Sequence, residues 1–272
     1  MRATGDEVEL LADDDRPGGW LLLLDRVRQS YIDLDDPTYL EFPYVQVLAA
    51  TVAAVPAGPL DVVHIGGGGA TLARWIAATR PGSSQLVVES HGELHRIVRN
   101  RLPVEPSSGI DLRHADGRSV LAELPDDSLD VVVIDAFSGG RVPGDLTTVE
   151  ALGDARRILR PSGLLLMNVT AAAESRYLRR LVAALAGPFA ELVLQGDQHG
   201  GVRNLVIVAA GADQLPAGVI VENGPLGRPL PLTGESLRSF VGAVSPLSVD
   251  SPMRSPEPPE ASWRVHTDFD PT

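Results

Sequence analysis

Three carboxylates stand at spacings that would let them share a task. Glu89 closes the apolar run Gln85–Glu89, Asp116 lies in Ala115-Asp116-Gly117 just after Ile110–Arg113, and Asp135 follows Leu129–Ile134. Upstream, Val62-Val63-His64-Ile65 runs into Gly66-Gly67-Gly68-Gly69 and then Ala70-Thr71-Leu72, the pattern of a strand, a tight turn and a helix. Glycines at such a turn let the backbone reverse sharply and approach a ligand with no Cβ in the way. An acid about 20 residues further on, at the tip of the next strand, can take both hydroxyls of a ribose. Each acid could instead cap the helix that follows it, Asp116 above all. Three acids at three successive strand tips favour a common ligand, a nucleoside seated over Gly66–Gly69.

Those tips must be held side by side, and the pattern between about Gly58 and Gly211 does so. Short Val/Ile/Leu strands are expected at Asp61–Ile65, Gln85–Glu89, Ile110–Arg113, Leu129–Ile134, Leu164–Val169, Ala190–Leu194 and Asn204–Ala210. Helices are expected at Thr71–Ala78, Gly92–Arg101, Arg118–Leu124, Thr147–Leu159 and Glu174–Ala186. Such alternation implies a parallel sheet covered on both faces, and the last two strands, lacking a helix between them, form an antiparallel pair. The expected fold class is α/β, with a Rossmann-like, seven-stranded, methyltransferase-type sheet that is mostly parallel with an antiparallel last strand. No Gly-x-x-x-x-Gly-Lys-Ser/Thr is present, which argues against a nucleotide triphosphatase. Glu89 alone would also suit an NAD enzyme; the antiparallel end and Asp116 favour the methyltransferase type.

The domain assignment is threefold. Residues 1–56 form a small β-hairpin region: Val8–Ala12 and Trp20–Val27 flank the turn Asp13-Asp14-Asp15-Arg16-Pro17-Gly18-Gly19, Gln29–Leu34 reads as a further strand, and a helix starts near Asp35-Asp36-Pro37-Thr38 and runs to about Ala54. Residues 57–213 are the nucleoside-binding domain. Residues 214–272 are a Pro-rich extension, partly disordered, with a short helix at Gly234–Val241 and an extended or disordered run at Ser251–Pro259.

Composition narrows the function. The chain carries 36 acidic and 23 basic residues, a formal net charge of −13. Such a field repels phosphate backbones, so nucleic acid is not an expected partner, whereas cations are attracted. With no cysteine, disulfides, thiolate metal sites and cysteine nucleophiles are excluded. No apolar run approaches the roughly 20 residues that span a bilayer, so no membrane association is expected. The first residues lack a basic-then-apolar leader pattern, and a cytoplasmic location is expected.

Gly66–Gly69, Glu89, Ala115-Asp116-Gly117 and Val133-Ile134-Asp135-Ala136-Phe137-Ser138 together resemble the spermidine synthase (polyamine aminopropyltransferase) family. The run Gln29-Ser30-Tyr31-Ile32-Asp33-Leu34-Asp35-Asp36-Pro37-Thr38-Tyr39-Leu40-Glu41-Phe42-Pro43-Tyr44 is similar to that of its actinobacterial branch. The resemblance covers about Val8 to Ala210. It implies a homodimeric enzyme of polyamine biosynthesis that takes S-adenosylmethionine or its decarboxylated form as co-substrate, uses no metal and acts on a small-molecule amine. By the same resemblance, Gly66, Gly67, Gly68, Gly69 and Gly117 shape the nucleoside site, Glu89 holds the ribose, Asp116 the adenine amino group, and Gln29 and Tyr44 close the pocket. Asp135 takes the place of the catalytic carboxylate.

The chemistry asked of Asp135 is simple. An alkylamine with a pKa near 10 is protonated and cannot attack; a carboxylate beside it accepts the proton and aims the lone pair at a sulfonium-activated carbon. Three departures from the family pattern bear on the donor and the acceptor. The glycine turn lacks the family's Asp, and Ser138 stands where a second, diamine-binding Asp is usual; Val45 replaces a His or Gln after Tyr44. Losing a buried partner for an ammonium costs on the order of 3–5 kcal/mol, which argues against putrescine. A methyltransferase, with Asp135 or Ser138 orienting the acceptor, and a non-catalytic nucleoside-binding homologue are the alternatives. Other groups read as structural: His64, Trp75 and Tyr177 as core, and His199-Gly200-Gly201-Val202-Arg203-Asn204 as a hairpin loop. His91 could reach the nucleoside, and Ser138 lacks the His and Asp partners of a hydrolase.

Overall fold

A computed structural model describes residues 7–196, 201–219 and 224–257. The chain opens with three strands, β1 (Val8–Ala12), β2 (Gly19–Leu24) and β3 (Val27–Asp33), paired as one antiparallel sheet. The expected stretch Trp20–Val27 is cut by a two-residue turn, Asp25 and Arg26, both at positive φ. That is the backbone a tight hairpin needs, supplied here without the glycine that would have announced it. The third strand was foreseen, so the region is a three-stranded sheet rather than a single hairpin. The helix expected from Asp35 begins later, as α1 (Pro43–Ala54). Asp33 Oδ1 accepts the N–H groups of Asp35 and Asp36, folding that segment into a turn, and Pro43 at the first helical position starts the helix.

The main domain runs β4 (Asp61–Ile65), α2 (Thr71–Thr79), β5 (Ser84–Glu89), α3 (Gly92–Arg101), β6 (Ile110–His114), α4 (Gly117–Glu123), β7 (Leu129–Ile134), α5 (Val149–Ile158), β8 (Leu159–Ala171), α6 (Arg176–Leu185), β9 (Glu191–Gln195), β10 (Arg203–Ala210), β11 (Leu230–Thr233) and α7 (Gly234–Val241). Its sheet has eight strands in the order β11-β9-β10-β8-β7-β4-β5-β6. Strands β4 to β8 are parallel, and β10 runs antiparallel between β8 and β9. The expected seven strands are thus one short. Strand β11, within the Pro-rich extension, adds an edge, where Pro231 need not donate to a further neighbour and Leu232 is buried against the core.

Both sheet faces are covered. Val132 and Ile134 face a core shared with α4, α5 and α6, while Val131 and Val133 face one shared with α1 and α2. This period-two division of an all-apolar strand is what a doubly covered sheet requires. The N-terminal sheet docks through Leu22 and Ile32 onto Leu94, Val98 and Leu102 of α3 and its end. It thereby sits over the carboxyl ends of β4 and β5.

Between Ser251 and Glu257 the extension is extended, one of the two states expected for it. That stretch is packed, with Ser255 fully buried. Pro258 and Pro259 lie outside the described residues, as do His199 and Gly200. Among the described residues no helix is long and apolar enough to cross a membrane.

Candidate functional site

At the end of β4 the chain makes its glycine turn directly against β7. Gly66 has φ +98°, and a Cβ there would overlap the Asp135 carbonyl. The amides of the turn are all engaged by the protein itself. Glu89 Oε2 accepts the N–H groups of Gly67 and Gly68, both at 3.1 Å, and Ser30 Oγ accepts that of Gly69 at 2.9 Å. A phosphate cradle needs such amides free. The turn therefore suits a nucleoside without phosphates lying against its surface.

Glu89 is both brace and cavity wall. Besides the turn it takes the His91 N–H on Oε1 at 2.8 Å, so three of a carboxylate's roughly four acceptor positions are used within the protein. His91 caps α3 through Nδ1, which accepts the Leu94 N–H, and lines the same cavity. Asp116 realises the competing use weighed for it: Oδ2 accepts the Ser119 N–H and Oγ–H, each at 2.8 Å, capping α4. It nevertheless borders the cavity, as does Gly117, whose Cβ would overlap Ile65.

Asp135, at the tip of β7, is the most perturbed acid. Asn168 Nδ2 donates to its Oδ1 at 2.8 Å, and the Tyr44 hydroxyl also bonds to it. Burial pushes its pKa up from 3.8 to about 7, against the two hydrogen bonds, which lower it. Tyr44 is held well above its ordinary value by burial first and then by the neighbouring Asp135 charge. A carboxyl poised near neutrality in a cleft, held by two directed partners, has the properties of a general base.

Glycine turn, Glu89, Asp116 and Asp135 share one cavity of about 710 Å³ with Gln29 from β3, Tyr44 from α1 and Ser138. That volume falls in the range of roughly 300–1,000 Å³ usual for small-molecule sites. Of the turn's four glycines, Gly66, Gly67 and Gly68 line it, whereas Gly69 lies beneath β3, packed on Ser30 and Ile32. Gln29 bonds back to its own strand through the Val27 carbonyl at 3.3 Å. Ser138 is exposed in a tight turn paired with Arg141. His64 is buried on Gln85 Oε1 at 3.1 Å, its pKa lowered to about 4 by burial, and Tyr177 is buried in the core, as expected of both.

Several residues were missed by sequence reasoning. Asn168 was passed over inside the apolar run of β8, although a lone amide in a doubly covered strand must find partners and so is itself a signal. Asn204 Nδ2 donates to Asn168 Oδ1 at 3.1 Å, fixing the amide that faces Asp135. Ser30 on the turn, and the cavity-lining acids Glu41 and Asp145, carried no sequence signal, because only the fold brings them here. Among the described residues no group of three His, Asp or Glu could hold a metal ion.

No family model matches the chain. It is similar to the polyamine aminopropyltransferase of Neisseria meningitidis serogroup A, 26% identical over 190 residues that cover 68% of this chain and 71% of the relative. Among solved structures, a probable spermidine synthase from Corynebacterium glutamicum ATCC 13032 matches with a TM-score of 0.78 at 25% identity, covering 91% of this chain and 97% of that one. A spermidine synthase in complex with the transition-state analogue AdoDATO shares the fold at 15% identity and a TM-score of 0.57, covering 90% and 84%.

Proposed function

We propose that this homologue of the polyamine aminopropyltransferases transfers an aminopropyl group from decarboxylated S-adenosylmethionine to a small amine, with Asp135 as the base. The observation that carries the reading is Asp135 itself, a carboxyl with a pKa near 7 in the cavity that also holds the glycine turn and Glu89. The adenosine would lie over Gly66–Gly68, with its ribose at Glu89 and its base toward Asp116. The amine's N–H proton passes to the Asp135 carboxylate. The freed lone pair forms the C–N bond to the methylene carbon next to the sulfonium, and the C–S bond breaks with its electrons going to sulfur, releasing methylthioadenosine. Tyr44 and Asn168 hold the carboxylate so that its unoccupied lone pairs face the amine.

Glu41 and Asp145 on the cavity wall support a cationic acceptor. Ser138, exposed where the family carries an acid, favours an amine other than putrescine. The turn's lack of an acid for the donor's amino end is the feature that keeps S-adenosylmethionine, and hence methyl transfer, as a second reading.

Incubating the protein with either donor and a panel of amines, with mass-spectrometric detection of methylthioadenosine and product, separates the readings. Aminopropylated amine from the decarboxylated donor is expected, and Asp135→Asn should cut turnover by at least about a hundredfold while leaving methylthioadenosine binding intact. A methylated product from S-adenosylmethionine would overturn the proposal in favour of methyl transfer. Binding of methylthioadenosine without turnover of either donor would favour a non-catalytic homologue.

A further inference from the structure

Ser255 is a polar residue with no exposed surface, in a segment whose composition argued for an extended or disordered run. Its Oγ accepts the Val142 N–H at 2.8 Å and lies 2.7 Å from Thr170 Oγ1, while Thr170 Oγ1 donates to the Pro256 carbonyl at 3.0 Å. A hydroxyl has one proton to give. Thr170 spends its proton on Pro256, so at the shared contact Ser255 donates and Thr170 accepts. The result is a one-way buried chain from Val142 N–H through Ser255 and Thr170 to Pro256.

Further anchors flank it. Arg180 of α6 donates to the carbonyls of Ser245, Pro246 and Ser251 and to Ser251 Oγ. Arg141 and Glu257 form an ion pair at 2.7 Å. Gly144 is packed on the backbone of Met253, with 3.3 Å between a Cβ at Gly144 and the Met253 carbonyl carbon.

What these contacts hold is one wall of the cavity. Pro143, Asp145 and Leu146 line it, following Val142, which is itself fully buried. Thr170 lines it too, and two residues earlier, on the same face of β8, Asn168 donates to Asp135. One strand thus carries both the partner of Asp135 and the residue bonded to the segment that holds this wall.

We propose that Ser255 is a specificity-determining positioning residue: through Val142 and Thr170 the strap Ser251–Glu257 sets the shape of the acceptor side of the cavity. The proposal rests on the amine-transfer reading for its substrate consequence, and on geometry alone for the wall.

The test compares Ser255→Ala with the full-length wild type in two ways. Amide hydrogen exchange across residues 138–146 should speed up by about tenfold or more in the variant, with exchange at 66–69 unchanged. For whichever amine the wild type uses, KM should rise about tenfold and discrimination between amines of different length should narrow, with kcat and methylthioadenosine affinity within about twofold. Glu257→Gln, at the exposed end of the strap, should move both readouts the same way by a smaller factor, and it decides the matter if Ser255→Ala does not fold. Unchanged exchange at Val142 in a folded variant overturns the proposal, as does faster exchange with wild-type KM and selectivity. If the wild type uses no amine, the transfer reading fails on its own, and the strap stands or falls on the exchange.

Discussion

Asp135 is under opposing influences that set both its reactivity and its cost. Burial resists the charge, whereas Asn168 and Tyr44 stabilise it, leaving the pKa near 7. On the proposed reading the ionised form is the base, so kcat/KM should rise with pH to a plateau, with an inflection near 7; Asn168→Ala, which removes a donor to the carboxylate, should move that inflection upward in the pH–rate profile. Stability follows the opposite sign. A folded pKa raised above the unfolded value of 3.8 means that the favourable neutral form is fully present below 3.8, and stability is lost as pH rises toward about 7. Asp135→Asn should therefore be more stable than wild type at pH 8, by about 1–2 kcal/mol in denaturant titrations, with the gain shrinking as pH falls below about 7 and gone near 3.8. Asp145, exposed on the cavity wall, should matter for binding alone: Asp145→Asn is expected to raise the acceptor KM several-fold with little change in kcat, as steady-state kinetics would record.

Between elements, the contact that matters most is β3 on the glycine turn. Ser30 Oγ receives the Gly69 N–H, Thr71 Oγ1 donates to the Tyr31 carbonyl, and a Cβ on Gly69 would overlap Ile32. The N-terminal sheet is thus seated on the turn with no room to spare. Gly69→Ala should cost about 1–3 kcal/mol and weaken methylthioadenosine binding, measured by thermal melts and calorimetry, because the added carbon must push β3 away from the site. Helix α1 is held at its far end by Arg80, which donates to the carbonyls of Val52, Ala53, Val55, Pro56 and Gly58, and this fixes the helix whose first turn presents Tyr44. The strand-turn-helix succession was legible from periodicity and glycine placement. The Asp25-Arg26 turn was not, since no glycine marks it, and nor was β11, whose core contribution is the buried Leu232 and the partly buried Leu230 in a run broken by prolines.

Across the whole molecule, a formal charge of −13 makes a field that attracts cations. For a diamine acceptor, kcat/KM should fall several-fold as salt rises from about 0.01 to 0.5 M, because the Debye length shrinks from about 30 Å to less than 10 Å. Affinity for methylthioadenosine, which is uncharged, should stay level over the same range. Equal salt sensitivity of the two would argue that the field acts on stability rather than on the amine.

What the sequence determined by itself was the order of strands and helices, the doubly covered sheet and the three acids at its strand tips. These follow from local spacing: apolar period, glycine at a sharp reversal and an acid at the end of an apolar run. Tertiary structure decided what surrounds the cavity those acids share. Asn168, Asn204, Ser30, Asp145 and Ser255 come from segments far apart in the chain, and a hydrogen bond between such segments leaves no periodic mark in either. The same holds for Asp135, whose type and place could be read, but whose pKa depends on how much water the surrounding elements exclude.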